Sequence, residues 1–186
     1  MTKLLHIITC LNKGGAERSL YNFIVNKETI GQHIVISLKD IGYYGEILKS
    51  KGYVVYALNL NNFYDLFAKV LFLNKIIHKF NPDLIQGWMY HGNFIALIVS
   101  IFTLRKKKCL WNIRMALHNK KTFDKKTDFI NKACAIFSWI PSKIIFNSYQ
   151  SMKDHNDIGY LKKNYYYIEN GFDTSFWSPA PNKRKK

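Results

Sequence analysis

The chain has 186 residues, 48% of them hydrophobic and 16% aromatic, which suits one domain with a real core and excludes a disordered chain, since those are poor in aromatic residues. Its formal charge is +16, and of its 28 basic residues only Arg18, Arg105, Arg114 and Arg184 are arginines. Lysine spreads a diffuse positive field without the planar fork that reads phosphates and base edges, so the charge favours anionic membranes, phosphorylated substrates or nucleic acid without specifying which, and points to no specific nucleic acid.

The opening residues, Met1 to Cys10, form a short apolar run that holds His6 and lacks a small-residue cleavage site, so Leu4–Ile8 reads as a strand and not as a secretory signal. Ala16–Val25 reads as a helix, His33–Leu38 as a strand, Tyr44–Lys51 as a short helix stopped by Gly52, and Val54–Leu58 as a strand. Over 64–80 the apolar residues Leu66, Val70, Leu73, Ile76, Ile77 and Phe80 recur at helical spacing. Asn81-Pro82-Asp83 then breaks the chain before a strand at Leu84–Gly87. Asn93–Leu104 follows as a buried helix. Its apolar run falls short of the ~20 residues a bilayer span needs. Cys109–Ile113 and Lys143–Phe146 read as strands on either side of a helix at Phe129–Trp139. Ser148 caps a helix at Tyr149–Ile158, and Tyr165–Ile168 is the last strand. Repeated strand–helix units with apolar strands imply the α/β class, a Rossmann-like parallel sheet with helices on both faces. Residues 1–178 make this domain. Residues 179–186, from Pro179-Ala180-Pro181 into a basic end, read as an interdomain linker or truncated tail.

Three cysteines, Cys10, Cys109 and Cys134, are odd in number and distant from one another. That argues against a disulfide framework or zinc ribbon and for the reducing cytoplasm. No metal site is expected.

The residues that carry chemistry fall at strand ends. Gly14 and Gly15 separate the first strand from its helix, where the backbone approaches a ligand closely and the helix start offers N–H groups to an anion; Glu17 follows. The three spaced glycines of a dinucleotide fingerprint are absent, and a tight turn without a ligand fits the same residues. After Leu84–Gly87 come Trp88, Tyr90, His91 and Asn93. In a parallel sheet, ligands bind beyond the carboxyl ends of the strands. There, aromatic rings would stack on sugars while His91 and Asn93 bond hydroxyls. A capped helix with a satisfied histidine is the alternative. Arg114, at the end of another strand, suits bidentate binding of phosphate or carboxylate, or else a surface ion pair. His118 has a weaker case. Asn147-Ser148 with His155 and Gly159-Tyr160 reads as structural.

Taken in order, Gly14-Gly15-Ala16-Glu17, Trp88-Met89-Tyr90-His91-Gly92-Asn93, Trp111-Asn112-Ile113-Arg114, Phe146-Asn147-Ser148, His155 with Gly159-Tyr160, and Ile168-Glu169-Asn170-Gly171-Phe172-Asp173 resemble the N-terminal domain of the family four glycosyltransferases. That group comprises retaining, metal-independent GT-B enzymes, often of bacterial surface polysaccharide synthesis. The resemblance implies an acceptor-binding half with His91 as the catalytic residue beside the reacting sugar. Trp88, Tyr90, Asn93 and Arg114 would bind a saccharide or lipid-linked acceptor, and Gly14, Gly15 and Glu17 would face the donor diphosphate. It implies no cofactor, only a nucleotide sugar as co-substrate. The family's donor domain carries two glutamates eight positions apart, which this chain lacks. The expected partner is therefore a missing donor domain or a separate donor subunit, and the chain alone should be inactive.

Arg105-Lys106-Lys107-Lys108 after the most apolar helix, and Lys120, Lys121, Lys125 and Lys126 around Phe123, suit peripheral rest on the anionic inner face of a membrane. A solvated basic surface is the alternative. Rival functions are a noncatalytic saccharide- or membrane-binding scaffold and a nicotinamide-dependent enzyme, the latter disfavoured by the missing glycine fingerprint.

Overall fold

The computed structural model describes residues 1–26, 30–61, 63–102, 108–117 and 124–171. His118, Arg105 to Lys107, Lys120, Lys121, Phe123, Phe172, Asp173 and the 179–186 tail lie outside the described residues.

The strands are β1 (Lys3–Ile8), β2 (Gln32–Ser37), β3 (Val54–Ala57), β4 (Leu84–Trp88), β5 (Lys108–Ile113), β6 (Lys143–Phe146) and β7 (Tyr165–Tyr167). Between them run the helices α1 (Gly15–Val25), α2 (Gly42–Ser50), α3 (Phe63–Phe80), α4 (Met89–Phe102), α5 (Lys125–Ile136) and α6 (Tyr149–Asp157). The strands form one sheet in the order β3-β2-β1-β4-β5-β6-β7, parallel at every pairing. The chain winds outward from β1 to β3, then returns to β4 and winds the other way. The reversal lies between β1 and β4, where Leu4 pairs with Leu84 and Ile8 with Trp88.

Side chains alternate across each strand, so the sheet divides the interior into two cores. On one face Leu5, Ile7, Ile85, Trp111 and Phe146 pack with Leu73 and Ile77 of α3, Ala96 and Leu97 of α4 and Cys134 of α5. On the other, Ile8, Val35, Val55 and Trp88 meet Leu20 and Ile24 of α1 and Leu48 of α2. Burial on both faces explains why these strands read as continuous apolar runs.

Two helices start a full turn earlier than their sequence suggests. α4 begins at Met89, not Asn93. Met89 turns the chain in a single residue by taking a left-handed φ of 61°, so strand passes into helix with no loop between. α5 begins at Lys125, not Phe129, because the Asp124 side chain accepts the Thr127 amide at 2.7 Å and caps the helix. Ser148 caps α6 as expected, accepting the Ser151 amide at 3.1 Å.

Candidate functional site

A cavity of about 1020 Å³ opens beyond the carboxyl ends of the strands. Thr9 and Cys10 line it after β1, Leu38 and Lys39 after β2, Leu60 and Asn61 after β3, Tyr90, His91 and Phe94 from the start of α4, Met115 after β5, and Asp124 to Thr127 from the start of α5. It spans the reversal between β1 and β4, the position at which open parallel sheets bind ligands.

His91 stands on this wall. Burial lowers its pKa and Lys39 lowers it further, against the opposing pull of Asp124. The imidazole is therefore neutral at pH 7, with one nitrogen able to accept and the other to donate. The helix carrying it is held close to the sheet by two glycines. A Cβ on Gly87 would meet the Asn93 backbone at 2.4 Å, and one on Gly92 would meet the Ile7 carbonyl oxygen at 2.4 Å.

The first strand–helix turn is built differently. Gly14 is the N-cap of α1 in extended conformation. The Glu17 carboxylate folds back over it, so that a Cβ there would meet Oε2 at 2.2 Å. The Cys10 thiol donates to Glu17 Oε1 at 3.6 Å. A Cβ on Gly15 would meet nothing within 4 Å.

Of the residues singled out from the sequence, the cavity brings together Glu17, Tyr90 and His91. Trp88 and Tyr90 are 2% exposed and Asn93 is fully buried: Trp88 ends β4 and packs into the core against α1 and α2, while the early start of α4 turns Tyr90 and Asn93 inward. The Trp88 Nε1 hydrogen points to His6 Nδ1 at 3.4 Å, and His6 Nε2 lies 3.0 Å from His33 Nδ1. That order makes His6 the donor to His33. Burial and the neighbouring His33 hold the His6 pKa down to about 3, against a hydrogen bond to Gln86. The Tyr90 hydroxyl meets His155 Nε2 at 2.9 Å while His155 Nδ1 donates to the Ser151 carbonyl at 2.7 Å, so Tyr90 is the donor. Asn93 Oδ1 accepts the Asn112 amide at 3.2 Å, tying α4 to β5. Arg114 donates to Ser19 of α1 at 3.1 Å and to Asn170, and its guanidinium lies 5.3 Å from the centre of the Trp88 ring. These side chains brace the walls of the cavity. The sequence reading missed Lys39 and Asp124 as cavity residues. The Asp124–Thr127 spacing was the available signal for the second.

Among the described residues no cluster of three or more His, Cys, Asp or Glu side chains is arranged to hold a metal. No described helix is long and apolar enough to cross a membrane.

The chain is 23% identical over 177 residues to the capsular polysaccharide biosynthesis glycosyltransferase CapH of Staphylococcus aureus, across 94% of this chain and 48% of CapH. No family model matches the chain. Anabaena HepE, solved in complex with UDP, superposes with a TM-score of 0.77 at 19% identity, covering 97% of this chain and 47% of HepE. The lipopolysaccharide outer core galactosyltransferase WaaB superposes with a TM-score of 0.68 at 12% identity, covering 100% of this chain and 50% of WaaB. The chain thus spans about half the length of the proteins it matches. Its Rossmann-like α/β fold is that of one half of such a molecule.

Proposed function

We propose that this chain is the acceptor-binding, N-terminal half of a retaining family four glycosyltransferase. In the complete enzyme, sugar passes from a nucleotide donor to a saccharide or lipid-linked acceptor in surface polysaccharide synthesis. The observation that carries this reading is the cavity at the sheet reversal, with neutral His91 on its wall and the Gly14-Gly15 turn next to Glu17 at its edge. Similarity to CapH supports the reaction class and the polysaccharide setting.

In this reading the second half of the enzyme, a linked domain or a separate subunit, brings the nucleotide sugar. Without it the charge that develops on the leaving diphosphate has no stabiliser, and this chain transfers no sugar. His91 bonds the reacting sugar or the attacking hydroxyl. Tyr90, Trp88, Asn93 and Arg114 serve acceptor binding by fixing the wall that carries His91. Gly15 leaves backbone open to the donor diphosphate. The protein rests peripherally on the anionic inner face of a membrane, where a lipid-linked acceptor is met.

The test is a transfer assay with labelled UDP-sugars and oligosaccharide acceptors, run with this chain alone and with a donor half from a CapH-like enzyme. Product is expected only from the pair. Steady product from the chain alone would overturn the division of labour, and no product from the pair, with both halves shown to associate, would overturn the reading itself. For the membrane, sedimentation with anionic vesicles should show binding that fades as salt screens it; no binding at low salt removes that element.

A further inference from the structure

α5 opens with acids and cations side by side. The positive end of a helix dipole favours acids in the first turn and disfavours cations; Asp124 and Asp128 fit that rule, while Lys125 and Lys126, directly after the Asp124 cap, do not. Both lysines line the cavity, and so does Lys39 from the loop after β2. The cavity's two acids are already engaged. Asp124 accepts the Thr127 amide at 2.7 Å, and Glu17 accepts the Cys10 thiol while lying over Gly14. Lys132 and Asp128 form an ion pair along α5, outside the cavity lining. Three exposed lysines from two elements therefore line one cavity, none in an ion pair among the described residues. Burial lowers the pKa of His91 and Lys39 adds to that, while the Thr127 hydrogen bonds lower that of Asp124 and Lys126 adds to them.

Lysine binds phosphate as a point charge, whereas carboxylates are best met by the bidentate fork of arginine. Arg114 is engaged with Ser19, Asn170 and the Trp88 face. The amides at the start of α5 add further donors for an anion. Resting on the acceptor-site reading above, we infer that the acceptor carries a phosphate ester, and that Lys39, Lys125 and Lys126 hold it while its hydroxyl is presented to His91. A soluble sugar phosphate and a lipid-linked sugar phosphate share this chemistry.

The experiment is calorimetric titration of the 186-residue chain with glucose, galactose and N-acetylglucosamine, with their 1-phosphates, and with inorganic phosphate at fixed ionic strength. At least one sugar 1-phosphate should bind roughly tenfold tighter than its neutral sugar, the scale of one charge-assisted contact. The Lys39→Gln/Lys125→Gln/Lys126→Gln variant should lose that preference. Lys49→Gln/Lys153→Gln/Lys162→Gln, with the same change of charge away from the cavity, should keep it. Equal binding of neutral and phosphorylated sugars, equal losses from both triple variants, or inorganic phosphate binding as tightly as the sugar esters would overturn this inference and leave the acceptor site standing. Failure of every sugar, neutral or phosphorylated, would overturn the acceptor-site reading with it. In a second arm, vesicles carrying polyprenyl phosphate and vesicles brought to the same charge by phosphatidylserine separate the sources. Lysine-dependent capture only by the polyprenyl phosphate vesicles assigns the lipid, and binding confined to the soluble esters assigns the free sugar phosphate.

Discussion

The turns after β1 and β4 lie side by side at the sheet reversal, and they are opposites. After β1 the chain leaves backbone open: Gly15 has nothing within 4 Å of where a side chain would begin. After β4 it leaves no room: Gly87 and Gly92 press backbone on backbone, and Met89 holds a left-handed φ of 61°. Left-handed backbone costs a non-glycine residue about 1–2 kcal/mol, and such strain persists where surrounding structure imposes it. One turn is suited to letting a ligand approach the main chain, the other to fixing a side chain, His91, in a set place.

Substitutions can break this contrast. The largest effect is expected at the rigid turn's own product. With a donor half supplied, His91→Ala should cut transfer by about 10²–10⁴-fold, the usual contribution of a positioned acid–base group, while thermal unfolding stays unchanged. Activity within a fewfold of wild type would make His91 structural. Gly92→Ala should cost about 3 kcal/mol of stability, because the opposing atom is the Ile7 carbonyl oxygen and backbone cannot yield; denaturant unfolding reads this directly.

Acid sharpens the comparison from beneath. The pKa values of His6, His33, His91 and His155 are all lowered by burial. The unfolded chain then binds more protons below about pH 6.5, so stability falls as pH drops through that value toward about 3. At pH 5 His6 alone should account for about 2 kcal/mol. His6→Phe should flatten the dependence of stability on pH between 7 and 5, and an unchanged slope would show that His6 is not held neutral. The smallest effect belongs to the open turn. Gly15→Ala should raise stability by up to about 1 kcal/mol, since alanine favours the helix and meets no atom. With a donor half present, its KM for nucleotide sugar should rise. A stable variant with unchanged KM would leave the Gly14-Gly15 turn without a ligand.

Much of the fold was legible because strands buried on both faces are written as apolar runs, and helices such as Phe63–Phe80 carry their period openly. The helix starts were obscured. Met89-Tyr90-His91-Gly92 contains a glycine and no cap, and its helical turn lies where Gly92 packs on Ile7. Lys125-Lys126 is an adverse start that Asp124 overcomes by capping. The site was legible by position and less so by residue. Trp88, Tyr90 and Asn93 have the chemistry of sugar binding, yet β4 runs on to bury Trp88 and the early helix turns Tyr90 and Asn93 into the core. The His6–His33–Trp88 network was beyond sequence reading, since those residues become neighbours only when β1 pairs with both β2 and β4.

The central claim is that this half of the molecule binds the acceptor. Chemical-shift mapping by NMR during titration with oligosaccharide and sugar phosphate tests it most directly. Shifts are expected at Thr9, Cys10, Glu17, Lys39, His91 and Asp124 to Lys126, the residues that line the cavity, and they should weaken in His91→Ala. Saturating sugar that leaves these resonances unmoved, or moves only residues away from the cavity, would contradict the account.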